Sequence, residues 1–332
     1  MDSHIIEQIQ RFEGKKILII GDVMIDSYLF GTVDRISPEA PVPVVSVQRR
    51  QNRLGGAANV ALNIKAMGAE PILCSVIGSD ARGDDFLKLM NEEGLAIDGI
   101  YRSGTRPTTT KFRVIGNRMQ LLRVDEESAE PLNKEEYNSL MNLLSHLTDE
   151  SIDAVVFQDY DKGVITPELI TAVTAITGRL GIPVAVDPKK RNFKEFRGVT
   201  LFKPNLKELR EGLNIEVSPL DRESLENAAA RLKEVTGAEW VMITLSEHGI
   251  FIRHDGVNDS DSVILPARVR SVADVSGAGD TVISIAALGL ATGMNAEEIA
   301  TVANAAGGLV CEKVGVVPVD KSELLTLLSR SD

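Results

Sequence analysis

Residues 16–22 read KILIIGD, four large aliphatic side chains in a row closed by a glycine and an aspartate. A run this short and uniformly apolar, without polar alternation, fits a strand buried on both faces. The same form recurs as ILCSVIG at 72–78, DAVVFQD at 153–159, PVAVD at 183–187, TLFKPN at 200–205 and EWVMITL at 239–245. Amphipathic stretches with helix punctuation lie between these runs. Thr166 and Pro167 suit the N-cap and first turn of a helix, Asn295 with Glu298 makes a capping-box pattern, and Gly68 closes the helix that follows Gly55 and Gly56. Strand and helix in alternation predict an α/β fold with a doubly wound, mostly parallel sheet and helices on both of its faces.

Two stretches break that rhythm. Residues 31–52, GTVDRISPEAPVPVVSVQRRQN, carry three prolines and a β-rich tail, and residues 98–125 read as strands in a hairpin arrangement. In the second stretch TTTKFRVI and RMQLLRVD flank Gly116-Asn117, a hairpin-turn signal. Pairing across that turn is expected to put Lys111, Arg113, Arg118 and Gln120 on one face. The two insertions, at about 31–52 and 98–125, predict a small β-sheet appended to a single domain spanning 1–332. Such a sheet can cover a cleft as a lid, or it can pair with its copy across a two-fold axis.

Bulk composition narrows the function classes. The chain has 332 residues, 43% hydrophobic and 25% charged, an ordinary globular balance, and its formal charge of −12 disfavours polyanionic partners such as nucleic acid. A few basic residues in a cleft still suffice for small anions. Cys74 and Cys311 are too few for a disulfide framework, and four scattered histidines offer no metal-ligand spacing. The N-terminal MDSHIIEQIQRFEGKK lacks the apolar core of a signal peptide, and no stretch has the length of a membrane span. The expectation is a soluble cytoplasmic protein with no membrane or nucleic-acid partner.

Doubly wound sheets collect ligands beyond the carboxyl ends of their strands. Polar residues accumulate in that position here: Asp22 and Asp26, Asp159, Asp187, Asn205, and Thr244 with Ser246. Each alone reads more readily as a cap or turn residue, but together they outline a cleft. At 273–293, ADVSGAGDTVISIAALGLATG, a glycine-rich turn opens directly into an apolar helix. Gly277, Ala278 and Gly279 can turn bare backbone N–H groups toward an anion at that helix N-terminus. On local grounds Asp280 is either a cap of the first turn or a carboxylate that accepts a proton from a hydroxyl attacking a phosphate. The turn has neither the P-loop nor the dinucleotide-binding glycine pattern. A second turn, Gly55-Gly56 followed by Asn59, would let a small polyol approach, or would simply pack helices closely.

GGAANVALNIKAMG at 55–68 and DVSGAGDTVISI at 274–285 resemble the two signatures of the ribokinase-like (PfkB) carbohydrate kinases, and NLKE at 205–208 resembles that family's N-x-x-E motif. The resemblance covers nearly the whole chain. It implies an ATP-dependent, Mg²⁺-requiring sugar kinase, in which Asp280 resembles the catalytic base and Gly277, Ala278 and Gly279 the anion hole. Asn205 and Glu208 resemble the pair that organises Mg²⁺ and the nucleotide phosphates, with Glu208 acting on the metal indirectly. Thr244, Ser246 and Gly249 in ITLSEHG, and Asn304 in VANAAGG, resemble the nucleotide pocket. Gly55, Gly56, Asn59 and Asp26 resemble the sugar site, and the insertions resemble the family's lid. Asp274 resembles the start of a loop that holds a monovalent cation, K⁺, in many relatives.

GDVMIDSYLFGTVDRISPEAPVPVV, TTTKFRVI, QLLRVDEE, QDYDKG and DPKKRNF resemble the branch of the family that phosphorylates D-glycero-D-manno-heptose 7-phosphate at its anomeric hydroxyl, a step toward ADP-heptose. That substrate carries a phosphate of its own, which by placement would fall to Lys111, Arg113, Arg123 and Lys189, with Asp22, Asp159 and Asp187 in the substrate cleft. In this branch the kinase is often fused to a nucleotidyltransferase with an H-x-G-H motif, which His4, His146, His248 and His254 do not form, so the expectation is the stand-alone kinase. An exposed lid sheet that pairs with its copy across a two-fold axis makes a homodimer joined through the lid the expectation. Other sugar kinases of the same fold, such as a ribokinase or phosphofructokinase, and a non-catalytic sugar- or nucleotide-binding module are the alternatives.

Overall fold

The computed structural model describes residues 3–147, 151–255, 260–267 and 272–330. The first apolar run becomes β1 (Lys16–Gly21), followed by the hairpin of β2 (Val23–Ile36) and β3 (Pro43–Gly56), then β4 (Glu70–Gly78) and β5 (Ile100–Ser103). A second hairpin, β6 (Thr110–Gly116) and β7 (Met119–Glu126), precedes β8 (Ala154–Gln158), β9 (Val184–Asp187), β10 (Leu201–Phe202), β11 (Trp240–Thr244), β12 (Ile250–Asp255) and β13 (Ser260–Leu265). Between and after them run α1 (Ser3–Gln10), α2 (Ala57–Ala66), α3 (Ala81–Glu92), α4 (Lys134–Leu147), α5 (Pro167–Leu180), α6 (Leu206–Leu213), α7 (Arg222–Thr236), α8 (Ala278–Thr292), α9 (Ala296–Cys311) and α10 (Lys321–Ser329).

Among the described residues the main sheet is nine-stranded, in the order β13-β12-β11-β10-β9-β8-β1-β4-β5. It is parallel from β5 to β11, and β12 and β13 add an antiparallel edge. The period-2 alternation of each strand divides its side chains between two cores. Ile17, Ile19, Ala154, Val156, Leu201 and Met242 pack with α2, α8 and α9 on one face. Leu18, Ile20, Val155, Phe157, Phe202 and Val241 pack with α4, α5, α6 and α7 on the other. Each fully buried Ile, Leu or Phe of these runs contributes about 1.5–3 kcal/mol of transfer free energy, which is why uninterrupted apolar strands end up sandwiched. The caps follow the sequence: Thr166 accepts from Leu169 N–H with Pro167 in the first turn, Gly181 ends α5 in the left-handed conformation, and Asn295 with Glu298 forms a complete capping box on α9. Among the described residues no helix is long and apolar enough to cross a membrane.

The smaller sheet has the order β3-β2-β6-β7, and the expected lid falls on it. Its limits differ from the expected ones. The first hairpin reaches well beyond 31–52, from Val23 to Gly56, because VMIDSYLF continues as β-strand directly from the end of β1, and two register shifts bend it. The second stretch is shorter than 98–125 at its start: β5 pairs in parallel with β4 on the edge of the main sheet, as the end of a β-α-β crossover through α3, so only β6 and β7 belong to the lid. Their turn sits one residue later than Gly116-Asn117. Asn117 and Arg118 are its two central residues, at φ 52° and 67°, the left-handed pair that matches strand twist in a two-residue hairpin. Arg118 therefore belongs to the turn, while Lys111 faces Asp125 and Arg113 faces Arg123 across the ladder.

Candidate active site

From β1 the chain moves outward on one side to β4 and β5, then returns to β8 and proceeds outward on the other. The loops leaving β1 and β8 therefore diverge, which opens a crevice at their carboxyl ends. Gly21 is required at its floor, because a Cβ there would collide with the carbonyl of Gln158 on the neighbouring strand. The helix that points its N-terminus into this crevice is α8, whose N-cap Gly277 takes φ 85°, a left-handed turn that glycine adopts without strain.

Asp280, in the first turn of α8, is 4% exposed. Its Oδ2 accepts a hydrogen bond from Asn59 Nδ2 at 2.7 Å, and its Oδ1 accepts from Gln158 Nε2 at 3.1 Å and from the Tyr160 hydroxyl at 2.6 Å. Burial pushes its pKa up to about 6, while the bonds from Asn59 and Tyr160 and the charge of Lys203 work in the opposite direction. The carboxylate is thus ionised at neutral pH yet basic enough to take a proton, the balance a general base requires.

Two ion pairs flank it. Asp187, at the end of β9, meets Lys203 Nζ at 2.9 Å, both side chains being almost fully buried, and it also accepts from Gln158 Nε2 at 3.2 Å. Lys189 pairs with Glu208 and lies over the ring of Tyr160, 5.4 Å from its centroid. Asn205 and Glu208 form a capping box on α6, each bonded to the other's backbone N–H at 2.8 Å. Glu208 Oε2 serves the cap and Oε1 serves Lys189, so one carboxylate caps the start of the helix and faces the cleft at once.

A cleft of about 790 Å³ is lined by Asn205, Glu208, Thr244, Ser246, Gly249 and Asn304 together with Gly277, Ala278, Gly279 and Asp280. The residues expected to hold a nucleotide and those expected at the phosphoryl group therefore share one cavity. Asn304 donates to the Pro266 carbonyl at 2.7 Å, which fixes its amide on the cleft wall.

On the lid side Gly56 takes φ 62° and Gly55 lies so close to the Asp26 carboxylate that a Cβ would displace it. Asp26 is buried and paired with Arg113. Tyr28 lies between Arg53 and Arg113, whose guanidinium carbons stand 5.6 and 5.3 Å from its ring centroid. Lys111 contacts Asp125 at 3.2 Å and Glu127 at 3.1 Å, and Arg123 contacts Asp125 at 3.0 Å. The pairing register puts Asp26, Tyr28, Lys111, Arg113 and Arg123 on one face of the lid.

Several expected site residues are bonded into the framework or placed apart from their expected neighbours. Asp22 is 1% exposed, and its oxygens accept from the backbone N–H groups of Tyr160 at 2.8 Å, Lys162 at 3.1 Å and Val164 at 3.0 Å, so it holds the loop after β8. Asp159 lies under that loop, bonded to Asp161 N–H and Asn192; burial and the neighbouring Asp22 raise its pKa to about 7. Lys189 stands apart from the lid cations, on the α8 side of the cleft, because β9 ends beside β10 and α6. Asp274 accepts from Ser276 and Gly315 N–H at 2.9 Å each, bracing the loop before α8. The residues sequence reasoning missed are Gln158, Tyr160 and Lys203. The first two stand in QDYDKG on either side of Asp159, and Lys203 is the one charge inside TLFKPN.

A model described as pfkB family carbohydrate kinase matches residues 14–322. The bifunctional protein HldE of Trichlorobacter lovleyi is 40% identical over 331 residues, which is 99% of this chain and 66% of that protein. HldE of Methylobacillus flagellatus is 41% identical over 308 residues, 93% of this chain and 62% of that protein. The chain thus spans just under two thirds of these curated relatives. Among solved structures, phosphofructokinase-2 from Escherichia coli in complex with potassium superposes with a TM-score of 0.76 at 20% identity, over 96% of this chain and 100% of that one. Arabidopsis thaliana ribokinase complexed with ribose and ATP gives 0.72 at 18% identity, over 96% and 100%. At these identities the likeness is one of fold.

Proposed function

The chain belongs to the pfkB family of carbohydrate kinases, phosphotransferases with an alcohol acceptor, and from that premise we propose that it phosphorylates the anomeric hydroxyl of D-glycero-D-manno-heptose 7-phosphate with ATP. The product is the 1,7-bisphosphate, a precursor of ADP-heptose. The observation that carries the kinase chemistry is the buried Asp280 carboxylate at the N-terminus of α8, beside bare glycine backbone and two lysines. The heptose phosphate is supported by the sequence strings around the lid and by Lys111, Arg113 and Arg123 on the lid face that also carries Asp26.

The acceptor oxygen forms its bond to the γ-phosphorus while the bond from that phosphorus to the β,γ-bridging oxygen breaks, ADP leaves with the electron pair, and the hydroxyl proton passes to Asp280. Charge building on the transferring group meets the N–H groups of Gly277 to Gly279, the α8 dipole, Lys189 and Lys203. Asn205, Thr244, Ser246, Gly249 and Asn304 hold the nucleotide. Among the described residues no three Asp, Glu, His or Cys side chains gather about one point, so Mg²⁺ would be held chiefly by the nucleotide's own phosphates with Glu208 facing its water shell. Mg²⁺ supplies charge neutralisation at those phosphates. Asp274 is the carboxylate beside which K⁺ would sit, and omission of K⁺ from the assay tests that role. We further assign the enzyme to the cytoplasm, where ATP is available, and pair it as a homodimer through the lid.

A substrate panel with MgATP decides the reading. Heptose 7-phosphate should be turned over well above ribose, fructose 6-phosphate or adenosine, and the reverse order overturns the substrate. Asp280→Asn should lower turnover by roughly two to four decades with nucleotide binding retained, since general bases contribute on that scale. Arg113→Ala should raise KM for the phosphosugar.

A further inference from the structure

Asp280 is the base in the function proposed above, and the donors that reach it come from separate segments: Asn59 from α2, Gln158 from the end of β8, and Tyr160 from the loop beyond. An ionised carboxylate offers about four acceptor positions, two on each oxygen. Gln158 and Tyr160 take two on Oδ1, and Asn59 takes one on Oδ2. The position left open is on Oδ2. We infer that Gln158 and Tyr160 are positioning residues of the phosphoryl transfer: they saturate Oδ1, orient the carboxylate, and leave Oδ2 as the atom that receives the acceptor hydroxyl's proton. The inference rests on the reading of Asp280 as base.

Three features support it beyond the distances. Gln158 Nε2 lies between two carboxylates, 3.1 Å from Asp280 and 3.2 Å from Asp187, and the flipped amide would turn its carbonyl oxygen on both. Its Oε1 is buried with no hydrogen-bond partner among the described residues, an unmet acceptor tolerated because the carboxylates dictate the amide's direction. Tyr160 is held at both ends: its N–H donates to Asp22 at 2.8 Å, and its ring lies under Lys189, itself paired with Glu208. Asp22, expected among the substrate ligands, thus acts two steps away, through the loop that carries Tyr160.

The charged groups acting on Asp280 and Tyr160 are Asp187 at the end of β9, Lys203 beyond β10, Lys189 and, from the lid, Asp26. All of these stay in place in Tyr160→Phe and Gln158→Met, so a change in the titration of Asp280 reports the lost donors. A donor to the ionised carboxylate favours that form, and its removal raises the pKa.

The test is the pH profile of kcat/KM for the phosphosugar at saturating MgATP, together with a ¹³C-carboxyl NMR titration of the ligand-free protein labelled at aspartate. In each variant the acid limb and the Asp280 titration should both move up by about one pH unit, the size of one lost hydrogen bond to a charged group. Turnover on the alkaline plateau should fall roughly tenfold through lost orientation. A residue with a merely structural role would lower turnover at every pH and leave the limb where it was. If Asp280→Asn is inactive while both variants keep the wild-type limb and titration, the positioning role is overturned and the base survives. If Asp280→Asn retains turnover, the base itself is overturned, and the inference with it.

Discussion

Gly277 and Gly279 are glycines for different reasons. Gly277 needs φ 85°, and a Cβ there would come within 3.0 Å of Asn59 Nδ2. Gly279 has no such requirement: a Cβ would meet only Lys203 Nζ at 3.7 Å and Asp187 Oδ2 at 3.8 Å, ordinary contact distances. The protein alone could hold alanine at 279, but that methyl would stand where the proposed phosphoryl group approaches the backbone. Gly279→Ala is therefore expected to fold with an unchanged or slightly raised Tm, since alanine favours a helix over glycine by about 0.5–1 kcal/mol, and to lose roughly two decades of turnover. Calorimetric melting beside a kinase assay separates the two effects, and a variant that keeps wild-type turnover removes Gly279 from the anion hole. The glycine turn and Asp280 were legible because they adjoin in sequence. Gln158 and Tyr160 were not, because nothing local distinguishes an amide that reaches a carboxylate on another element from one exposed on a loop.

At the scale of elements, the pattern Asn-x-x-Glu makes complete capping boxes at Asn205–Glu208 and at Asn295–Glu298, and Asn133 and Glu136 exchange the same two bonds at the start of α4. Local physics treats the three alike; among them only α6 begins beside the cleft, so only there does the second carboxylate oxygen face Lys189. At the start of α4 the same box is extended by an ion pair. Glu136 accepts from Arg106 at 2.9 and 3.0 Å, from Ser103 at 2.5 Å and from Asn133 N–H at 2.8 Å, tying α4 to the segment between β5 and β6. Burial alone would raise its pKa, but Arg106, Ser103 and Asn133 hold it at about 2. A carboxylate with a lowered folded pKa stabilises the protein fully above its unfolded value near 4.5, and the contribution fades as pH falls toward 2. Glu136→Gln should therefore cost roughly 3 kcal/mol at pH 7, the scale of a broken buried ion pair, and progressively less below pH 4.5. Urea melts at pH 7 and pH 3 measure both arms, and equal losses at the two values would contradict the ion-pair account.

For the whole molecule, the lid has two unlike faces. One carries Asp26, Tyr28, Lys111 and Arg113, and Arg53 on β3 reaches the Val316 carbonyl at 3.1 Å beyond α9. The other aligns Leu29, Val114 and Leu122 across three strands, beside Phe112 and Val124. Leu122 and Val124 are 56% and 48% exposed, an apolar surface on a sheet that a second copy could cover. With the lid dimer proposed above, the wild-type chain should sediment as a dimer and Leu122→Asp as a monomer; a monomeric wild type would refute the pairing. The six central strands with their burial on both faces, the helix caps and the glycine-rich start of α8 were legible in the amino-acid order alone, because burial runs and capping act between residues a few positions apart, whereas the edge strands β5, β12 and β13 were not. Only the tertiary structure decided that Asn59, Gln158 and Tyr160, respectively 221, 122 and 120 residues from Asp280, converge on its carboxylate. That convergence depends on the order of β1, β4 and β8 in the sheet and on the crevice it opens, a property of how strands are arranged in space that no local pattern carries.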